Sequence, residues 1–418
     1  MPGFSRWRLL ALALLLTAAA AARAQCPGQW LPMSPSFQVT DANGPGSVYS
    51  LLVADLDGDG PDPELLIVGG SFTHAGGIPA QNLAAWDGRQ WRSFGVPGAP
   101  QQPGVGPPAP VLSIAVFEGE LVVGLWGGVP GSPNAVYRRT GDRWLPLGAT
   151  GPGGAPTGLV WSLTNFEGQL IAAGNSIARW NGSEWNHMTA LGSYSALGVH
   201  LGVLYAGGDL FPAPPGGGLA ARYVARWDGS GWLPINNNQL PYPAKALLVH
   251  EGSLIVGAAH SHASSVYALE DGGWTVLGFC NQCPNVPITV WDVASAGGTL
   301  YAAGLMGRFA QHTGARLVGD SWIVDPGSPT GTSYAAVEFR NQVIFGHETR
   351  GLLRHSLPTT DFDHDGASGT DADIEAFFAC LAGSCCPTCG TADFNFDGDT
   401  GTDADIEAFF RVLAGGSC

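Results

Sequence analysis

The 418-residue chain carries a formal net charge of −16 at pH 7 and a single lysine, Lys245. That balance leaves no basic stripe to neutralise phosphates and excludes nucleic acid as a partner class. Gly (62) and Pro (31) are abundant, yet 45% of the chain is hydrophobic and 14 residues are Trp, a mix that predicts short strands and many tight turns instead of disorder.

The first residues read as an export signal. Arg6 and Arg8 precede an apolar run at 9–16, and "ARA" at 22–24 offers a small-x-small cleavage site. The run is too short to span a bilayer, and no later segment reaches the roughly 18 apolar residues of a membrane helix. Residues 1–24 are therefore expected to be a signal peptide, and the mature chain to be secreted, extracellular or at the cell surface. Five of the eight cysteines (Cys380, Cys385, Cys386, Cys389 and Cys418) fall near the C-terminus, and a local disulfide framework is expected there.

From residue 47 onward an apolar strand ending in small residues recurs, beginning at Leu65, Leu121, Leu170, Leu204, Leu254, Leu300 and Val343. Most copies follow another apolar strand across an "EG" or "GG" turn, as in "VLSIAVFEGE", which is hairpin chemistry. A second hairpin comes next, clearest in "WDGRQW" (86–91), "WNGSEW" (180–185) and "WDGSGW" (227–232). Four strands per unit without helical periodicity predict an all-β seven-bladed β-propeller with four-stranded blades, six and eight blades being the alternatives. Terminal tryptophans close six units, at Trp91, Trp144, Trp185, Trp232, Trp274 and Trp322. The seventh lacks one, but "QWLPM" (29–33) parallels "RWLPL" (143–147), so the N-terminal strand is expected to complete the last blade and remove a free edge. Over residues 26–357 the "AGG…WDGxxW" pattern resembles secreted, Gly-rich, kelch-like propellers of planctomycete-type bacteria. Those motifs specify turns and packing and say little about ligand. The propeller is assigned residues 25–358.

Within the propeller, Asp55, Asp57 and Asp59 alternate in a hairpin, followed by Asp62 and Glu64. This spacing can wrap an oxygen-seeking cation and marks a weaker candidate Ca²⁺ site, the plain alternative being a solvated acidic tip. Cys280 and Cys283 suit a loop-stapling disulfide. No nucleophile elbow, metalloprotease helix, phosphate loop or carboxylate pair stands out.

At the end of the chain the periodicity changes to that of helices. Ile374, Phe377, Phe378 and Leu381 share one face, as do Ile406, Phe409, Phe410 and Leu413, with Thr370 or Asp371 positioned to cap the first and Gly383 to end it. Ahead of each helix lies the first half of an EF-hand loop: Asp361, Asp363, Asp365 and Gly366, then Asp393, Asn395, Asp397 and Gly398. The closing carboxylate is displaced by one residue, to Asp373 and Asp405, with Asp371 and Asp403 as substitutes. Residues 361–418 hold twelve acidic side chains and one basic, Arg411, hence −11 of the chain's −16. Carboxylates packed this closely repel unless a divalent cation neutralises them. Two calcium loops, each followed by one helix, resemble a dockerin over residues 359–418. The resemblance implies noncovalent docking to a cohesin-like protein or cell-surface receptor, often in polysaccharide-handling assemblies. The expected function is a secreted binding or scaffold propeller for carbohydrate or protein. The alternative is a glycan-cleaving propeller, hydrolase or lyase, delivered by the same tail.

Overall fold

The computed structural model describes residues between 29 and 414, apart chiefly from 32–36, 95–106, 128–134, 149–155, 211–220, 236–239, 260–264, 280–287, 307–311, 357–359, 364–366, 386–388 and 395–399. Residues 1–24, expected to be a signal peptide, and Cys280 and Cys283 lie outside the described residues. The fold is all-β, with eight four-stranded antiparallel sheets. Two helices follow: α1 (Asp371–Leu381) and α2 (Asp403–Leu413).

Seven of the sheets share one pattern in which strands pair in chain order, as in Val111–Phe117, Glu120–Leu125, Val136–Thr140 and Arg143–Pro146. Their first strands run Ser47–Ala54, Val111–Phe117, Val160–Phe166, Tyr194–His200, Ala244–His250, Thr289–Ala296 and Ser333–Phe339. Each touches the next, and the last returns to the first, closing a ring. In the last sheet the fourth strand is Gln29–Leu31, antiparallel to Gly351–Ser356 with Trp30 opposite His355. Trp30 then lies 4.9 Å from Phe345.

The recurring glycine of the second strands has a packing reason. A Cβ at Gly69 would lie 2.6 Å from Val111 Cγ1, one at Gly124 2.5 Å from Val160 Cγ1, and one at Gly346 2.5 Å from Val48 Cγ1. Each glycine therefore admits a branched side chain of the following sheet, and the ring shuts on the same contact that builds it. The "WDG" hairpins set Trp86 opposite Trp91 and Trp227 opposite Trp232. Asp228 Oδ1 accepts the backbone N–H groups of Ser230 and Gly231, which makes it a turn former. Trp185 Nε1–H donates to the Leu147 carbonyl and Trp322 Nε1–H to that of Leu277, each reaching the end of the preceding sheet. A buried network joins the last two sheets: Arg316 donates twice to Asp325, which also bonds His355 Nε2 at 3.0 Å.

The eighth sheet was not foreshadowed by the repeat. It pairs Val39–Asp41 with Gly44–Pro45 and with His74–Ala75, which pairs in turn with Ile78–Pro79. The last two strands lie in the excursion between the second and third strands of the first ring sheet. Gly76 and Gly77, at φ +55° and +84°, turn that excursion tightly enough to pair with itself.

Candidate functional site

In all seven ring sheets the pairing of first and second strands slips by one residue close to the start of the first strand. A bulge leaves its extra residue outside the ladder, bends the strand and re-aims the side chain. The extra residues are Tyr49, Leu112, Trp161, Ser195, Lys245, Trp291 and Tyr334, and all seven line one cavity of about 200 Å³ at the mouth of the ring's channel.

Four of these residues and one neighbour form an aromatic arc. Trp126 follows the second strand Glu120–Leu125 and is held by a bridge to Leu159, the residue remaining 51% exposed. Around the mouth the centroids run Trp161 to Trp126 at 6.4 Å, Trp126 to Tyr49 at 5.9 Å, Tyr49 to Tyr334 at 5.5 Å and Tyr334 to Trp291 at 5.5 Å. Lys245 Nζ ends the arc 5.4 Å above the Trp291 ring. Burial pulls the Lys245 pKa down, and the nearby charge of Asp209 opposes that shift.

In the rest of the wall, polar groups set among aliphatic side chains such as Leu112, Ile114 and Leu163 tie neighbouring sheets together. Ser113 Oγ donates to the Val160 carbonyl, Ser195 Oγ to that of Ala244, and Ser162 Oγ accepts the Leu197 N–H. Asp292 Oδ2 accepts the Ala336 N–H and Oδ1 its neighbour Val293's, fixing the sixth sheet to the seventh. Burial pushes the Asp292 carboxyl up to about 7, the two N–H groups acting against it. Asp292 is the one carboxylate among the described lining residues.

In the tail, ligand oxygens of Asp361, Asp363 and Asp373 lie within 4.8 Å of one another, with Asp361 and Asp373 buried. Thr370 caps α1 in a capping box with Asp373: Asp373 Oδ2 accepts the Thr370 N–H and Oγ1–H, and Oδ1 accepts the Phe362 N–H at 2.7 Å. Thr402 and Asp405 repeat the box at α2. The closing position thus sits at the third residue of each helix, while Asp371 and Asp403 are exposed at the first. Asp393 and Asp405 are buried; Asp365, Asn395 and Asp397 lie outside the described residues. Three converging carboxylates are hard oxygen donors and fit a Ca²⁺ ion. In the propeller hairpin, Asp55 Oδ1 accepts the N–H groups of Asp57 and Gly58, and Asp59 lies outside the described residues.

Phe377 and Phe409 stack at 4.1 Å and are fully buried, but Phe378 and Phe410 remain 45% and 42% exposed. The close stack sets the interhelical axis on Phe377 and Phe409 and leaves their neighbours at its margin, 6.3 Å apart. The Cys380–Cys385 disulfide closes the end of α1. No helix among the described residues is long and apolar enough to cross a membrane.

No protein-family model and no curated protein sequence matches the chain. Solved structures do. Virginiamycin B lyase from Staphylococcus aureus aligns with a TM-score of 0.51 at 12% identity, covering 79% of this chain and 99% of its own. BBS1N, solved in complex with ARL6DN, aligns with a TM-score of 0.50 at 12% identity, covering 81% and 99%. The WD40 β-propeller domain of Doa1 gives 0.49 at 13% identity, covering 77% and 95%. At such identities the likeness concerns the fold alone.

Proposed function

We propose that the protein is a secreted, seven-bladed binding propeller that takes its ligand at the channel mouth and is held in an assembly by a calcium-dependent, dockerin-like tail. The observation that carries the reading is the ring of bulges. Seven sheets each aim one side chain at a common cavity, and these side chains differ: three kinds of apolar ring or chain, a hydroxyl and one ammonium. A framework of paired strands holds them in place before any ligand arrives, which lowers the ordering cost of binding. The eighth sheet is an outgrowth of the first blade, not a blade.

In the tail, Asp361, Asp363 and Asp373, joined by Asp365, would hold one calcium ion, and Asp393, Asn395, Asp397 and Asp405 a second. Bound calcium would neutralise the clustered carboxylates. The residues of the chain do the rest: Asp373 and Asp405 fix the helix starts, Phe377 and Phe409 fix the helix pair, and the exposed Phe378 and Phe410 offer an apolar face to a cohesin-like protein or cell-surface receptor.

The test uses full-length protein on arrays of polysaccharides and proteins, beside Trp291→Ala and Tyr334→Ala. Ligand binding should fall in both variants while melting stays cooperative. Capture by an unchanged set of ligands in both variants would defeat the mouth as the binding site. For the tail, partner capture should vanish in EDTA and in the Phe378→Ala/Phe410→Ala double variant.

A further inference from the structure

We infer that the mouth binds a neutral saccharide, one pyranose ring at a time, laid against the arc formed by Trp161, Trp126, Tyr49, Tyr334 and Trp291. The inference deepens the mouth reading and rests on it.

Size comes first. A cavity of about 200 Å³ is smaller than the roughly 300–1,000 Å³ that encloses drug-sized ligands. It admits a single ring, with the rest of a chain left at the open rim where Trp126 stands exposed.

Charge narrows the class. The described lining holds one cation, Lys245, and one carboxylate, Asp292. The burial that pushes Asp292 up to about 7 keeps part of it uncharged near neutrality. An anionic ligand would find one ammonium with Asp209 already in its field. A quaternary ammonium would have to displace Lys245 Nζ from the face of Trp291, a place already taken by a cation. Neither sign of charge is matched.

Surface chemistry narrows it further. The C–H groups on the flat face of a pyranose carry slight positive charge and suit the negative faces of aromatic rings, while its edge needs donors and acceptors. The mouth has both sides: the rings of Trp161, Tyr49, Tyr334 and Trp291 in the cavity wall, extended by Trp126 beside them, then the Ser195 hydroxyl, Lys245 and Asp292 for a ligand's hydroxyl edge. An extended peptide would need an uninterrupted strand edge to pair with, and a bulge interrupts each of the seven first strands at this level.

The experiment is calorimetric titration of full-length protein, in calcium, with cellohexaose, xylohexaose and mannohexaose as neutral probes, hexagalacturonate as the acidic probe and choline as the cationic one. At least one neutral hexasaccharide should bind. Trp161→Ala and Trp291→Ala should each weaken it at least about tenfold, Trp291→Phe should restore most of the loss, and Phe378→Ala in the tail should change nothing. Binding confined to hexagalacturonate or choline, or to no probe, overturns the neutral-saccharide assignment. If such binding is still lost in Trp291→Ala, the mouth reading survives that failure. Neutral binding that ignores every mouth substitution overturns both.

Discussion

The ring and the tail are both built by repetition, but they treat the functional position in opposite ways. At one structurally equivalent place the ring carries Tyr49, Leu112, Trp161, Ser195, Lys245, Trp291 and Tyr334; the tail repeats Asp361 as Asp393 and Asp373 as Asp405. Variation around a closed ring makes one asymmetric surface and suits one ligand of irregular shape. Identity between two loops suits the same spherical ion twice. The scaffold side reverses the contrast. The ring repeats its packing, a glycine admitting a Val from the next sheet, whereas the tail exchanges contacts across its pair. A Cβ at Gly369 would meet Leu413 and one at Gly401 would meet Leu381, so each helix leans on the other copy's loop.

The comparison can be broken in several places. The largest effect is expected from Asp325→Ala. It strands the buried Arg316 and His355 and should cost the ring about 3–5 kcal/mol. Every tryptophan precedes residue 323, so thermal unfolding followed by Trp fluorescence reports the ring alone. The tail's calcium response, followed by partner capture, should persist, and its loss would show that the two regions are not independent. Next, Asp373→Ala and Asp405→Ala each remove half of a capping box, at about 1–2 kcal/mol, and should weaken calcium binding to a similar degree. Strongly unequal calcium titrations would break the symmetry of the pair.

A smaller effect distinguishes two places within the ring by pH. Asp292 is raised from 3.8 to about 7 by burial, so the folded ring keeps a proton that the unfolded chain releases. Its contribution is full below about pH 4 and is lost as the pH rises through 7. Asp292→Asn should flatten that fall in melting temperature. Burial depresses His355 below its ordinary 6.5, with Asp325 opposing, so its contribution is present above 6.5 and lost as the pH falls. The smallest effect concerns turns. Glu167 sits at φ +51° before Gly168 at +72°, a hairpin conformation that favours Asn at the first position. Glu167→Asn should stabilise the ring by about 0.5 kcal/mol in denaturant titration.

Much of this was legible where neighbouring residues determine the outcome. The "EG" turns, the "WDG" hairpins and the Thr370 cap are local, and the match of "QWLPM" to "RWLPL" announced the strand that pairs with Gly351–Ser356. The mouth was not legible, because the residues that form it lie far apart in sequence and share no chemistry. Their common property arises only when each first strand pairs with a slip. A faint signal exists in retrospect: "VYS", "VWS" and "VWD" open three of the first strands, placing an aromatic residue at the slipped position. The exposure of Phe378 and Phe410 cannot be read from the helical stripe that includes them, because it is set by a stack centred on Phe377 and Phe409.

Lys245 offers the most direct test of recognition at the mouth, since it is the only lysine. Acetylation of its amine in full-length protein can be followed by mass at that one site, with and without a saturating bound saccharide. Recognition by the arc predicts that the ligand slows acetylation several-fold and that Trp291→Ala abolishes the protection. Equal reactivity of Lys245 in the free protein and in the saccharide complex would contradict it.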